Sequence, residues 1–262
     1  ARQHVGNYPG ITVEKKTGAY IKDNRRFTIV DLPGTYSLTA YSLKEIVARD
    51  FLIDEKPAVV VDIVDAANLE RNLYLSIQLL EMGLPVCIAL NMVDAAKKRG
   101  IEIDEKRLAE MLNVPVIPTI ARSGRGKDEL MQAAEEVAKS HKSHSPLAIS
   151  YGQDIDQALF EMERLIRDEH FLTDAYLPRW IALKYLEADE NMRQRGKYLN
   201  PDLSAELDGI ADRVSDHLEE TLATDPEAMI ADHRYGYIRS IVNQGIITHG
   251  GDLSRLHMSD RI

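Results

Sequence analysis

Apolar and polar positions fall into two kinds of block along the chain, and its two halves use them differently. Val13 to Ile21 and Arg26 to Val30 read as strands, with Lys22-Asp23-Asn24-Arg25 as a polar hairpin turn between them. Ala58 to Val64 is apolar on both faces apart from Asp62, the pattern of a strand inside a parallel sheet covered by helices. Val86 to Leu90 and Val116 to Ile120 are further short strands. Between them the period becomes helical. Leu43 to Ile53 carries Leu43, Ile46, Val47 and Phe51 on one spacing, and Leu69 to Met82 carries Leu73, Ile77 and Leu80, with Gly83 as its stop. Asp104 to Leu112 and Lys127 to Lys139 are helical too. Strand and helix alternate, so residues 1–145 are expected to form a doubly wound α/β domain. Residues 1–12 read as loop, punctuated by Gly6, Asn7, Pro9 and Gly10.

After the polar linker His141-Lys142-Ser143-His144-Ser145-Pro146 the strand pattern stops. Its two histidines have no cysteine or acid cluster beside them, so a solvated linker explains them better than a metal site. Ile155 to Ile166, Leu177 to Leu186, Leu203 to Leu222 and Pro226 to Val242 read as helices. In the third, Leu203, Leu207, Ile210, Val214, Leu218 and Leu222 form one core-facing seam. Residues 146–247 are expected to be an all-α domain, and 248–262 a loop leading away from it.

Composition narrows the class. An apolar fraction of 44% in 262 residues can build a real core. A net charge of −10 argues against a general nucleic-acid binder, which needs a basic face. The single cysteine, Cys87, cannot form an internal disulfide, which suits a reducing compartment. No apolar run approaches the roughly 20 residues of a membrane span. No signal peptide and no initiator Met are seen, as expected of a processed or excised piece.

Candidate chemistry gathers just after strands. Asp31-Leu32-Pro33-Gly34 follows Phe27-Thr28-Ile29-Val30, and it would point a carboxylate and a backbone N–H into one crevice. That suits an Mg²⁺-bound phosphate, with Asp31 holding a water of the metal and the Gly34 amide meeting a terminal phosphate. A plain surface turn carries the same four residues. Thr12 could ligate Mg²⁺ through its hydroxyl, or be an ordinary strand-edge threonine. Asn91-Met92-Val93-Asp94 closes the strand from Val86. A carboxylate there accepts from the N1–H and the 2-amino group of guanine, donors that adenine does not offer in that geometry. Thr119-Ile120-Ala121-Arg122 ends the next strand, where a backbone N–H could meet the guanine O6. In open α/β sheets ligands bind at the carboxyl ends of strands, and Asp31, Asp65, Asn91, Asp94 and Ala121 all fall just after strands.

The order Thr12, Asp31 to Gly34, Asn91 to Asp94, Ala121 resembles the small GTPases. Three stretches narrow it: Gly6-Asn7-Tyr8-Pro9-Gly10-Ile11-Thr12-Val13-Glu14, Asp31-Leu32-Pro33-Gly34-Thr35-Tyr36-Ser37-Leu38 and Asn68-Leu69-Glu70-Arg71-Asn72-Leu73-Tyr74-Leu75. They resemble the cytoplasmic portion of the ferrous iron transport protein B (FeoB) family. That resemblance implies a GTPase domain followed by a helical domain, GTP hydrolysis at the cytoplasmic face of a bacterial inner membrane, and a tie to Fe²⁺ uptake. It assigns nucleotide contacts to Gly10, Ile11, Thr12, Val13, Glu14, Asp31, Leu32, Pro33, Gly34, Asn91, Met92, Val93, Asp94, Ile120, Ala121 and Arg122. Thr12 and Asp31 would hold Mg²⁺, and Thr12 and Gly34 would serve hydrolysis. Gly6 to Ile11 could help hold K⁺ near the phosphates. The implied partners are a membrane-embedded segment of the same protein, small Feo companion proteins and further copies of the chain, with no nucleic acid.

Two departures stand out. Ile120 occupies a position where the guanine loop often carries Ser, so hydrogen bonding there rests on backbone. The larger departure is the absence of G-x-x-x-x-G-K-[ST]; Gly124-Arg125-Gly126-Lys127 has the wrong spacing and reads as the turn before a helix. The resemblance therefore implies a cytoplasmic region cut before Ala1 and just before the membrane segment after Ile262. The strand that precedes the phosphate loop would lie beside the one ending at Asp31, and its removal would expose two apolar strand edges. A ribosome-assembly GTPase and a nucleotide-free scaffold are the rival readings.

Overall fold

The computed structural model describes residues 3–7, 14–22, 25–39, 42–140 and 145–249. Gly10, Ile11, Thr12 and Val13 lie outside the described residues, as do Asp23 and Asn24 of the hairpin turn, His141 to His144 of the linker and everything after His249.

In chain order the strands and helices begin with β1 (Gln3–Asn7), β2 (Glu14–Lys22), β3 (Arg25–Asp31) and α1 (Leu43–Asp54). Next come β4 (Val60–Asp65), a 3-10 turn (Ala66–Asn68), α2 (Leu69–Glu81), β5 (Val86–Asn91), α3 (Val93–Lys98) and β6 (Ile101–Ile103). They are followed by α4 (Glu105–Leu112), β7 (Val116–Pro118) and α5 (Lys127–Lys139). The helical half holds α6 (Gln153–Asp168), α7 (Pro178–Leu186), α8 (Glu190–Leu199), α9 (Pro201–Leu222) and α10 (Pro226–Ile241); a kinked turn and β8 (Ile247–His249) close it.

The chain forms two compact units, one of residues 1–57 with 150–230 and one of 58–149 with 231–262. In the first, β1, β2 and β3 make a three-stranded antiparallel sheet in that order. Lys22 faces Arg25, which closes the expected hairpin tightly. Residues 3–7 are strand where loop was expected, because β2 offers a pairing edge that outweighs the poor strand propensity of Gly6 and Asn7. Ser42 caps α1 with Glu45 in a reciprocal capping box. Its buried face is Val47, Ala48, Arg49, Leu52 and Ile53; of the expected Leu43, Ile46, Val47 and Phe51 stripe, Val47 is buried, Ile46 and Phe51 are half-buried and Leu43 is exposed. Helices α6 to α9 pack on one another. Leu203, Leu207, Ile210 and Leu218 are buried as the seam predicts, whereas Leu222 is exposed at the end of its helix.

In the second unit β4, β5 and β7 form a parallel sheet in that order. Helix α2 packs on β4 and β5, and α5 packs on β5 and β7. Every residue of β5 before Asn91 is therefore buried. β4 departs from the expectation of full cover. It is the terminal strand, and α5 sits over its neighbours, so Val61 and Ile63 stay 37% and 66% exposed. A small antiparallel ribbon pairs β6 with β8, so the strand at 247–249 replaces the loop expected from residue 248 as far as His249.

Candidate functional site

The Asp31–Gly34 stretch belongs to the first unit. Asp31 is the last residue of β3, paired with Lys16 of β2, and its side chain is exposed. Gly34 has no positive φ, and a Cβ added there would meet nothing within 4 Å. No packing in this conformation demands glycine there. Hydroxyls brace the chain beyond. Thr35 Oγ1 donates to Ser37 O at 2.6 Å, the Ser37 amide donates back to it at 3.2 Å, and Ser37 Oγ lies 2.5 Å from Thr39 Oγ1. Ser37 Oγ also donates to Glu45 of α1 at 3.3 Å, and Leu38 is buried. The loop from Asp31 is thereby moored to the first turn of α1.

Asn91 to Asp94 and Ile120 to Arg122, expected to read a base, lie in the second unit, at the carboxyl edge of the parallel sheet. Asn91 ends β5 and Asp94 stands in the first turn of α3. Between them Met92 takes a left-handed conformation with φ 62°, an uncommon state for a non-glycine residue, and turns the chain abruptly from strand into helix. Asn91 Oδ1 accepts the Ala121 amide at 3.0 Å. Within the turn that carries Ala121, the Ile120 amide donates to Arg125 O, the Ser123 and Gly124 amides donate to Ile120 O, each at 3.0 Å, and Ser123 Oγ donates to Ile120 O at 3.2 Å. The Thr119 amide donates to Leu90 O at 2.8 Å and fixes the turn to β5.

Thus Asn91, Met92, Val93, Asp94, Ile120, Ala121 and Arg122 converge on one edge. Leu32, Pro33 and Gly34 continue from Asp31 in the other unit, and Glu14 opens β2. Gly124 and Gly126 have φ of 75° and 81° and form the turn before α5. Sequence reasoning placed Gly126 in this turn without foreseeing its close packing, where a Cβ would lie 2.2 Å from Pro118 O. It also left Asp65, Asn68 and Asn72 without a task. The signal available was an acid at a strand end followed by two asparagines four residues apart on a helix start.

Among the described residues no group of three or more His, Cys, Asp or Glu could hold a metal ion. The water-mediated role expected of Asp31 asks for one exposed carboxylate, which is what stands there. Among the described residues no helix is long and apolar enough to cross a membrane.

A parallel sheet whose carboxyl edge gathers an N-x-x-D strand end and a backbone turn bound to its asparagine, in a chain that also carries D-x-x-G and a helical bundle, defines a G domain of the GTP-binding class with a helical companion. The chain matches ferrous iron transport protein B over residues 1–134 and the FeoB cytosolic helical domain over 151–247. It belongs to the FeoB family. A curated relative, the Fe(2+) transport protein A/Fe(2+) transporter FeoB fusion protein of Porphyromonas gingivalis, is 40% identical over 252 residues, 93% of this chain and 29% of that protein. The chain spans between 29% and 37% of the length of the curated relatives it matches. Among solved structures, the cytosolic domain of T. maritima FeoB in its GMPPNP form superposes with a TM-score of 0.79 at 32% identity, covering 94% of this chain and 90% of that one. A mutant S. thermophilus NFeoB bound to GDP gives 0.81 at 32% identity, with coverage of 94% and 90%.

Proposed function

We propose that this chain is the GTP-binding and GTP-hydrolysing region, on the cytoplasmic side, of a bacterial ferrous iron transporter, and that its nucleotide state regulates iron uptake. The observation that carries this reading is the Asn91–Ala121 hydrogen bond. It joins the two loops that read a purine and leaves the Asn91 Nδ2 to reach the base, beside the Asp94 carboxylate on α3. Asp94 accepts from N1–H and the 2-amino group of guanine, and an amide of the Ile120–Arg122 turn meets O6. The residues fall into a G domain over 1–145, a helical coupling domain over 146–247 and a juxtamembrane linker after it.

Thr12 and Asp31 would hold Mg²⁺, Asp31 through a water, and the ion would supply charge that screens the phosphate oxygens. The Gly34 amide donates to the γ-phosphate, so its loss on hydrolysis releases the loops around Thr12 and Gly34. Thr35 follows Gly34, and its hydroxyl is taken up by Ser37, so it is no general base. The attacking water is oriented by backbone or by the loop near Thr12, where K⁺ is a further candidate ligand, and intrinsic turnover is slow. The partners are the membrane-embedded segment of the same protein, small Feo companion proteins and other copies of the chain.

No G-x-x-x-x-G-K-[ST] occurs in these 262 residues. Taken by themselves they bind GTP weakly, because loop amides and a lysine carry most of the phosphate charge. β3 and β4 are each terminal strands of their own sheets. The test uses the protein with its phosphate loop. Asp94→Asn weakens GTP binding by about tenfold to a hundredfold, the worth of a charge-assisted pair, and shifts preference toward xanthine nucleotide. Unchanged GTP affinity in a titration refutes the assignment.

A further inference from the structure

Asp65 is the last residue of β4 and pairs in register with Asn91 of β5, so it stands on the same edge of the sheet as the base-reading loops. Its carboxylate is fully engaged. Oδ1 accepts the Ala67 amide at 2.8 Å and Oδ2 accepts Asn68 Nδ2–H at 2.7 Å. Its own amide donates to Asn72 Oδ1 at 3.4 Å, and Asn72 Nδ2 donates to Asn68 O at 2.9 Å. Three side chains therefore lock the strand end, the 3-10 turn and the first turn of α2 together.

That turn packs against α3. Ala66 on the turn and Ala96 on α3 are both buried. Helix α3 has six residues, and no side chain caps its N-terminus at Met92. So short a helix is not stable through its own hydrogen bonds; its neighbours set where it lies. On one side the neighbour is the Asp65-locked turn, and after Gly100 the chain enters β6, which β8 pairs. Asp94 rides in the first turn of α3, so its distance from a bound base depends on the turn that Asp65 holds.

We propose that Asp65, acting with Asn68 and Asn72, is a positioning residue for guanine recognition: it fixes the 3-10 turn that seats α3 and so places the Asp94 carboxylate against the 2-amino edge of the base. This rests on the reading of Asp94 given above. It gives a task to the Asn68–Asn72 stretch.

A specificity ratio separates positioning from general support. Inosine lacks the 2-amino group, so GDP and IDP differ only at the donor that Asp94 reads. In the protein with its phosphate loop, the parent is expected to prefer GDP by about tenfold, the worth of one such hydrogen bond. Asp65→Ala brings that ratio to within about twofold of unity, chiefly by weakening GDP. The exchanged pair Asp65→Asn with Asn68→Asp rebuilds the Oδ–Nδ2 hydrogen bond in reverse and keeps an acceptor for the Ala67 amide, so it restores the preference. Should Asp65→Ala not fold, Asn68→Ala removes a single side-chain bond and carries the same expectation. A discriminating parent whose ratio is unchanged in the variants overturns the proposal alone. A parent that holds GDP and IDP equally refutes the Asp94 assignment and this proposal with it.

Discussion

Arg49 Nη1 donates to Asp189 Oδ2 across 2.5 Å, and both side chains are 3% exposed. The two residues are 140 apart in sequence. Arg49 sits in α1, which follows the loop from Asp31 to Gly34, and Asp189 caps α8 by accepting the Met192 amide at 3.0 Å. Asp50, next along α1, meets Arg195 of α8 at 3.2 Å. Within this unit the helix moored to the D-x-x-G loop is thus also bound by charge to the helical bundle.

The pair makes an asymmetric expectation. Arg49→Met leaves the buried Asp189 charge without its cation, and loss of one partner of a buried pair costs about 3–5 kcal/mol. Adding Asp189→Asn removes the stranded charge while its side-chain oxygen still caps α8, so most of the loss returns. Urea denaturation of the two variants checks this. A double variant no more stable than Arg49→Met would show that the charge itself is not what matters.

Asp62 is the polar exception in β4, and the structure explains how it is tolerated. Ser76 Oγ of α2 donates to it at 2.5 Å. Burial pushes its carboxyl up from 3.8 to about 6, against the smaller opposing pull of the Ser76 hydroxyl. The folded protein keeps this proton to higher pH than the unfolded chain does. Its contribution to stability therefore falls as pH rises from about 4 through 6 and is constant above. Asp62→Asn still accepts from Ser76 and carries no charge at any pH. It should be more stable than the parent above pH 6, by at most about 3 kcal/mol for roughly two pH units, and match it below pH 4. Denaturation at pH 4 and pH 8 gives the comparison; the same difference at both values would contradict it.

How much of this could be read from sequence depends on the length and period of each element. Helices α2 and α5 have long apolar stripes and a clear stop or start, and their ends were legible to within a residue. Helix α3 was not, because Val93-Asp94-Ala95-Ala96-Lys97-Lys98 is too short to show a period, and its start is set by the left-handed Met92. Helix α8 was missed for a different reason: only Met192 and Gly196 are buried, so it has no stripe. Gly196 lies where a Cβ would come 2.0 Å from Tyr185 Oη and 2.8 Å from Phe171, a helix contact that no local pattern announces. The strand-end positions of Asp31 and Asn91 were legible because each opens a contiguous tetrapeptide at a strand end. Asp65 was visible there as an acid, but its bonds to Ala67 and Asn68 and the turn's contact with α3 exist only in the fold.

Gly126 offers the sharpest test of how the turn bearing Ala121 is held. Its φ is 81°, and a Cβ would lie 2.2 Å from Pro118 O and 3.1 Å from Thr119 Cα, both backbone atoms that cannot swing aside. Gly124 shares the left-handed backbone at φ 75°, yet a Cβ there meets nothing within 4 Å. Gly124→Ala should therefore cost only the conformational strain, about 1–2 kcal/mol. Gly126→Ala adds a collision that must displace Thr119 and, with it, the turn bearing Ala121. Beyond its larger loss of stability, it should loosen the Asn91–Ala121 hydrogen bond, so the Ala121 amide exchanges faster than in Gly124→Ala. Thermal melts paired with amide exchange on the two variants read both effects. Equal losses, with Ala121 equally protected in each, would mean that the turn absorbs the Cβ without moving Ala121.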